Sequence, residues 1–120
     1  MTQSPRLQLR LYFGTAMFGP GKARMLELIR DHGSISAAGR AMQMSYKRAW
    51  SLVEEMNAMS HTPLVDSARG GPGGGGATVT PTGLAALHHY RAIEALTASA
   101  AGSDLAALKA LFTPDIPARK

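Results

Sequence analysis

The most constraining feature of the sequence is a pair of predicted helices separated by a three-residue link. Ser34 is placed to cap a short helix that runs to about Gln43, and Ser45 to cap a second helix that runs to about Met59. The link between them is Gln43-Met44-Ser45. Two helices joined in this way are typical of a helix-turn-helix, a motif that places its second helix in the major groove of DNA.

Apolar spacing predicts which face of each helix is buried. The predicted inward-facing residues are Ile35, Ala38, Ala41 and Met42 in the first helix, and Ala49, Leu52, Val53 and Met56 in the second. Gly39 falls on the outward face, and the small Ala37 and Ala38 are expected where the two helices cross. Each helix therefore keeps one face for the core and one for solvent or a ligand.

The segments on either side predict the rest of a winged helix. Alternating apolar residues over Leu7–Phe13 predict a strand with one buried face, and residues 14–21 a loop. Helical spacing predicts a helix over Lys22–His32 that ends at Gly33. Residues 63–80 predict a hairpin around a glycine-rich turn, which is the wing.

A long helix is predicted over residues 81–101, with Pro81 in its first turn. Its large apolar residues recur every three positions and so wind around the helix axis; they are Leu84, Leu87, Tyr90, Ile93 and Leu96. We expect the first two to pack on their own domain and the last three to face a second subunit.

These elements predict a mainly α fold with a small β-sheet, a winged helix-turn-helix followed by a long C-terminal dimerisation helix. The DNA-binding domain is expected at 1–80 and a helical dimerisation extension at 81–113, with a last helix capped by Ser103. Residues 114–120 are expected to form a tail.

The charge distribution favours a polyanionic partner. Residues 1–48 carry eight Lys and Arg against two Asp and Glu, and the whole chain has a formal net charge of +5. Such a field attracts nucleic acid, and a membrane surface would also respond to it. The N-terminus has no secretory signal, no apolar run is long enough to cross a membrane, and there is no cysteine, so we expect a cytoplasmic protein.

The second helix of the motif carries most of the candidate DNA-binding residues, because its first turns combine phosphate-binding cations with groups that can touch base edges. The candidates are Ser34 and Ser36 in the first helix, Ser45, Tyr46, Lys47, Arg48, Trp50 and Ser51 in the second, and Arg69, Gly73 and Gly74 in the wing. Two other interpretations stay open: Tyr46 and Trp50 as partly buried core residues, and Lys47 and Arg48 as a solvated face.

The glycine run fits a wing better than a nucleotide loop. Gly71, Gly73 and Gly76 match the G-x-G-x-x-G pattern, but a dinucleotide-binding loop follows a strand and opens a helix, whereas this run lies between two predicted strands. Bare backbone amides in a wing can approach phosphates, and Arg69 beside them can enter a narrow minor groove. A hairpin tip without a ligand is the alternative.

Five segments together resemble the N-terminal DNA-binding domain of the ModE-type molybdate-responsive transcription regulators, relatives of the LysR-type winged helix. They are Gly-Ser-Ile-Ser-Ala-Ala at 33–38, Met-Ser-Tyr-Lys-Arg-Ala-Trp at 44–50, Glu-Glu-Met-Asn at 54–57, Pro-Leu-Val at 63–65 and the glycine-rich 70–80. The resemblance covers roughly residues 7–100. It implies that the helix at Ser45 faces the groove, that Arg69 and the glycine loop form the wing, and that residues 81–101 dimerise.

The same resemblance implies target genes of molybdenum transport or of molybdoenzymes. Full-length ModE-type regulators carry oxyanion-sensing domains after the long helix, and these 120 residues contain no segment that could form one. We therefore expect neither molybdate nor any cofactor to bind this chain.

No catalytic or metal site is expected. The four histidines lack metal-binding spacing, and adjacent His88 and His89 point about 100° apart on a helix. No nucleophile, base and orienting acid form an ordered cluster. The predicted function is a sequence-specific regulator that binds double-stranded DNA as a homodimer, and the alternatives are a protein-interaction module or a non-specific architectural DNA-binding protein.

Overall fold

The computed structural model describes residues 6–67 and 76–112. Its elements in chain order are β1 (Leu11–Phe13), β2 (Ala16–Phe18), α1 (Pro20–His32), α2 (Ile35–Ala41), α3 (Tyr46–Ala58), β3 (Val65–Ser67), β4 (Ala77–Val79), α4 (Pro81–Ala100) and α5 (Gly102–Leu111). The predicted fold class, mainly α with a small β component in a winged-helix order, is confirmed. No helix among the described residues is both long enough and apolar enough to cross a membrane.

The N-terminal strand is shorter than predicted and belongs to a hairpin. β1 pairs antiparallel with β2, which lies inside the segment predicted as a loop. Gly14 makes the turn with a φ of 66°, a left-handed conformation that glycine adopts without strain. Phe13 was predicted on the buried face but is 65% exposed, because it lies beside the turn of the hairpin. The open end of the hairpin, where Phe18 lies, is the part that reaches the core.

Helices α1, α2 and α3 surround the main core. Gly33 ends α1 with a φ of 70°, as predicted, and its N–H donates to the Ile29 carbonyl. The buried apolar side chains of the three helices are Ala23, Met25, Leu26, Leu28, Ile29, Ile35, Ala38, Ala49, Val53 and Met56. Ala41 was predicted to face inward and is exposed, because Ile35, Ala38 and Gly39 form the buried face of α2 and Ala41, its last residue, lies outside that face.

Gly39 also lies at a close approach of α2 to α3, beside the predicted Ala37 and Ala38. Gly39 was predicted on the outward face but is buried, and a Cβ atom there would lie 2.8 Å from the Cβ of Ala49. A prediction from apolar spacing does not count glycine among the buried residues. Here the missing side chain of Gly39 allows the backbones of α2 and α3 to approach each other.

Strands β3 and β4 form the base of the predicted wing, with Val65 opposite Val79. Thr80 follows β4 and caps α4, since its Oγ1 accepts the Gly83 N–H at 3.0 Å. The same hydroxyl donates to the Pro63 carbonyl at 2.7 Å. A Cβ atom at Gly83 would collide with the carbonyl oxygen of Leu64, so α4 begins in direct contact with the wing.

Only the first half of α4 packs on the domain, and the predicted division of its residues is partly wrong. Leu87 is buried as expected, but Leu84 is 43% exposed. Tyr90, predicted to face a second subunit, is 2% exposed. Its ring packs edge-on against Phe18 and its hydroxyl donates to the Leu9 carbonyl at 2.6 Å, so Tyr90 belongs to its own core. Burial also raises the pKa of this hydroxyl.

The second half of α4 and all of α5 project from the domain. The described residues measure 57 × 29 × 25 Å along their principal axes, and α5 contains no buried residue. Ser103, predicted to cap this helix, lies within its first turn, and the capping position belongs to Ala101 without a side-chain hydrogen bond.

Candidate nucleic-acid interface

The turn between α2 and α3 is held by backbone hydrogen bonds. The Gln43 N–H donates to the Arg40 carbonyl and the Met44 N–H to the Gly39 carbonyl, each at 3.0 Å. Gln43 has a φ of 59°, an uncommon value for a residue with a side chain. These bonds fix the direction in which α3 leaves the turn.

Both serines predicted as caps fill that role. Ser34 Oγ accepts the Ala37 N–H at 3.1 Å, and Ser45 Oγ accepts the Arg48 N–H at 3.0 Å. Because a hydroxyl that accepts one hydrogen bond can still donate another, each remains able to bind a phosphate oxygen. The exposed start of α3 also carries the partial positive charge of a helix N-terminus.

Lys47 and Arg48 lie on the exposed surface of this first turn. Within the described parts of the chain, neither is paired with a carboxylate. Ser51 is also exposed and lies four residues after Lys47, so the two share the outer face of α3, while Arg48 points about 100° away. The structure thus brings two unpaired cations and a hydroxyl to one end of one helix.

The two aromatic residues of α3 have different environments. Tyr46 is 60% exposed, whereas Trp50 is partly buried against the core. Their rings meet edge-on with centroids 6.1 Å apart. The Trp50 indole N–H is buried and has no hydrogen-bond partner in residues 6–67 and 76–112. Of the two, Tyr46 is therefore the one open to a ligand.

Lys22 contributes to the basic N-terminal charge in the sequence but does not reach the surface. It is 3% exposed, its ammonium donates to the Met17 carbonyl, and it lies 3.4 Å from a carboxylate oxygen of Glu55. Because this ammonium is enclosed and partnered, it cannot bind a polyanion. The Lys22–Glu55 pair instead joins α1 to the far half of α3, where Glu54 is also exposed.

The sequence reasoning missed Arg40 as a candidate. This arginine is exposed at the end of α2, and its guanidinium lies 3.4 Å from the Ser36 hydroxyl. The spacing of four residues between Ser36 and Arg40 is the signal that could have identified the pair. Ser36 is therefore close to a cation on the same side of the turn.

The three predicted wing residues, Arg69, Gly73 and Gly74, lie outside the described residues. The base of the wing is described, and Asn57 of α3 holds it. Its Oδ1 accepts the Leu64 N–H at 2.9 Å and the Val65 N–H at 3.0 Å, and its Nδ2 donates to the Val65 carbonyl at 3.1 Å. One side-chain amide thus fixes the wing relative to the candidate DNA-binding helix.

No group of three or more potential metal ligands occurs in the part of the chain that the structure describes. His88 and His89 are both exposed, with ring centroids 5.3 Å apart in an edge-on arrangement. The exposed residues at the start of α3 include two cations, two hydroxyls and one aromatic ring, groups that bind anions and stack on flat rings.

Comparison with known proteins supports the resemblance seen in the sequence. No protein-family model matches the chain. It is 45% identical over 80 residues to the molybdenum-pterin-binding protein MopB of Rhodobacter capsulatus, covering 67% of this chain and 30% of that protein. It is 38% identical over 89 residues to the molybdenum transport protein ModE of Azotobacter vinelandii, covering 74% of this chain and 33% of that protein.

A third relative is the DNA-binding transcriptional dual regulator ModE of Escherichia coli strain K12. The two are 41% identical over 71 residues, covering 59% of this chain and 27% of the relative. The chain spans about a third of the length of the curated relatives it matches. Its relatives are thus ModE- and Mop-named proteins, among them transcription regulators.

Replacing Asn57 by Ala should destabilise the fold, because it leaves two N–H groups and one carbonyl of the wing base without partners. We expect a loss of about 2 to 3 kcal/mol in the free energy of unfolding, measured by urea denaturation. The matched control is Glu54→Ala, an exposed position on the same helix, which should change stability by less than about 0.5 kcal/mol. Equal stability of the two variants would contradict the role given to Asn57.

Proposed function

We propose that this chain is a sequence-specific transcription regulator that binds double-stranded DNA as a homodimer. The observation that carries the proposal is the exposed first turn of α3, where Lys47 and Arg48 have no carboxylate partner among the described residues. In this proposal α3 lies in the major groove and the wing lies on the flanking minor groove. The ModE names of its relatives support target genes of molybdenum transport or of molybdoenzymes.

The distribution of charge along α3 supports this orientation. Its first turn carries the two cations, whereas Glu54 and Glu55 lie in its second half and Glu55 is paired with Lys22. A helix that enters the groove with its N-terminal end keeps those carboxylates away from the phosphates. In this proposal Arg40 and Ser36, which contact each other on α2, bind the DNA backbone beside the groove.

The exposed apolar residues of the projecting helices support a homodimer. Ile93 is 39% and Leu96 is 70% exposed on α4, and Leu108 is 49% and Leu111 is 79% exposed on α5. A second copy would cover these side chains and place two α3 helices on one side of the DNA. An inverted repeat with half-site centres about 34 Å apart, or a multiple of it, matches such a dimer.

Lys47→Ala and Arg48→Ala should each weaken binding to a selected DNA site by about 1 to 3 kcal/mol if the residue reads a base edge. If it contacts only phosphate, the dependence of the logarithm of affinity on the logarithm of salt concentration should fall by about one. Fluorescence titration of labelled duplexes, selected from genomic fragments, measures both quantities.

The matched control removes a cation elsewhere. Arg24 on α1 is exposed and lies 3.8 Å from Glu27, so Arg24→Ala changes the net charge equally without touching α3. Unchanged affinity in both α3 variants would refute the assignment. Strong binding without sequence preference would instead indicate an architectural protein. If the chain bound no DNA fragment, a protein-interaction module would be indicated.

Leu96→Asp should convert the dimer into a monomer at micromolar concentration, because it places a charge in the proposed apolar interface. Sedimentation velocity measures the change. Leu84→Asp is the control, since Leu84 is also exposed on α4 but lies half a helix turn around the axis from Ile93. A wild-type chain that sediments as a monomer would refute the dimer.

A further inference from the structure

Arg91 lies at the point where α4 leaves the domain. The buried residues of α4 are Gly83, Leu87 and Tyr90, all in its first half, and no described residue of this helix beyond Tyr90 is buried. The side chain of Arg91 reaches across to Glu27 on α1. It therefore joins α4 to α1 close to the point where α4 leaves the domain.

The guanidinium of Arg91 is held by three hydrogen bonds to two carboxylates. Arg91 Nε donates to one carboxylate oxygen of Glu27 at 3.1 Å and Nη2 to the other at 2.9 Å, while Nη1 donates to Glu94 at 2.7 Å. The guanidinium also lies 5.7 Å from the centre of the Tyr90 ring. A planar guanidinium held by two parallel bonds fixes orientation as well as distance.

This contact is partly shielded from solvent. The side chains of Arg91, Glu27 and Glu94 are 38%, 21% and 22% exposed. The hydrogen bond to Glu27 raises the pKa of Arg91, so the guanidinium keeps its charge. It joins two different helices, unlike the Arg24–Glu27 contact, which stays within α1.

We infer that the Arg91–Glu27 pair sets the spacing between the two half-sites that the dimer reads, by fixing the angle at which α4 leaves the domain. The inference rests on the proposed function, since it requires a dimer that joins two copies through the projecting helices. Arg91 is in this account a positioning residue that never touches DNA.

A small angular change is enough to matter. If α4 turned by about 10° relative to the domain, α3 at a distance of about 20 Å from the joint would move by about 3.5 Å. This distance is close to the rise of one base pair. A dimer in which α4 leaves the domain at a fixed angle binds half-sites at one spacing, because any other spacing requires the DNA to be bent or twisted. A dimer in which this angle varies also binds half-sites at neighbouring spacings.

The test selects duplexes from a random library with the full wild-type chain and with Arg91→Met, and compares the spacing of inverted half-sites. We expect the wild type to prefer one spacing at least tenfold over its neighbours, and Arg91→Met to reduce that preference to about twofold. The half-site sequence and the affinity for a single half-site should stay within about twofold. Sedimentation at the same concentration verifies that both are dimers.

Two further variants keep the inference falsifiable. Glu27→Gln removes the charge of the partner and should broaden the spacing in the same way, whereas Arg24→Ala should leave it unchanged. An unaltered single spacing in both Arg91→Met and Glu27→Gln would overturn the inference, and so would loss of cooperative unfolding in both. If the wild type itself enriches no inverted repeat, the proposed function fails and the inference fails with it.

Discussion

The position of the candidate DNA-binding helix α3 relative to the wing depends on the side-chain amide of Asn57. It ties the end of α3 to the first strand of the wing through three hydrogen bonds, each between 2.9 and 3.1 Å. On the other side of the same backbone segment, Thr80 binds the carbonyls of Pro63 and Leu64 and caps α4. The candidate DNA-binding helix, the wing base and the projecting helix are thus held by one short stretch of chain, and a shift in one moves the others.

Locally encoded features could be predicted from the sequence. The caps at Ser34 and Ser45 and the stop at Gly33 depend on residues a few positions apart, so their patterns are visible in the chain itself. Features that depend on distant neighbours could not. Gly39 is buried because Ala49 of another helix lies against it, and Tyr90 is buried because Phe18 and Leu9, far away in sequence, complete its pocket.

The candidate site shows the same limit in its charges. Sequence counts Lys22 with the other cations, although the fold encloses its ammonium beside Met17 and Glu55. Lys47 and Arg48 remain exposed, as expected for the N-terminal end of a reading helix. The useful quantity for a DNA-binding surface is therefore the charge that the fold leaves open and unpaired, and in the described residues near the turn that charge belongs to α3 and to Arg40.

The proposed function requires that the first turns of α3 lie along duplex DNA. The most direct measurement is an NMR titration of the isotope-labelled chain with a selected duplex, following each backbone amide. We expect the largest shifts on residues 45–51, with smaller ones around Arg40 and at the wing base. Shifts confined to the projecting half of α4 and to α5, with residues 45–51 unmoved at saturation, would contradict it.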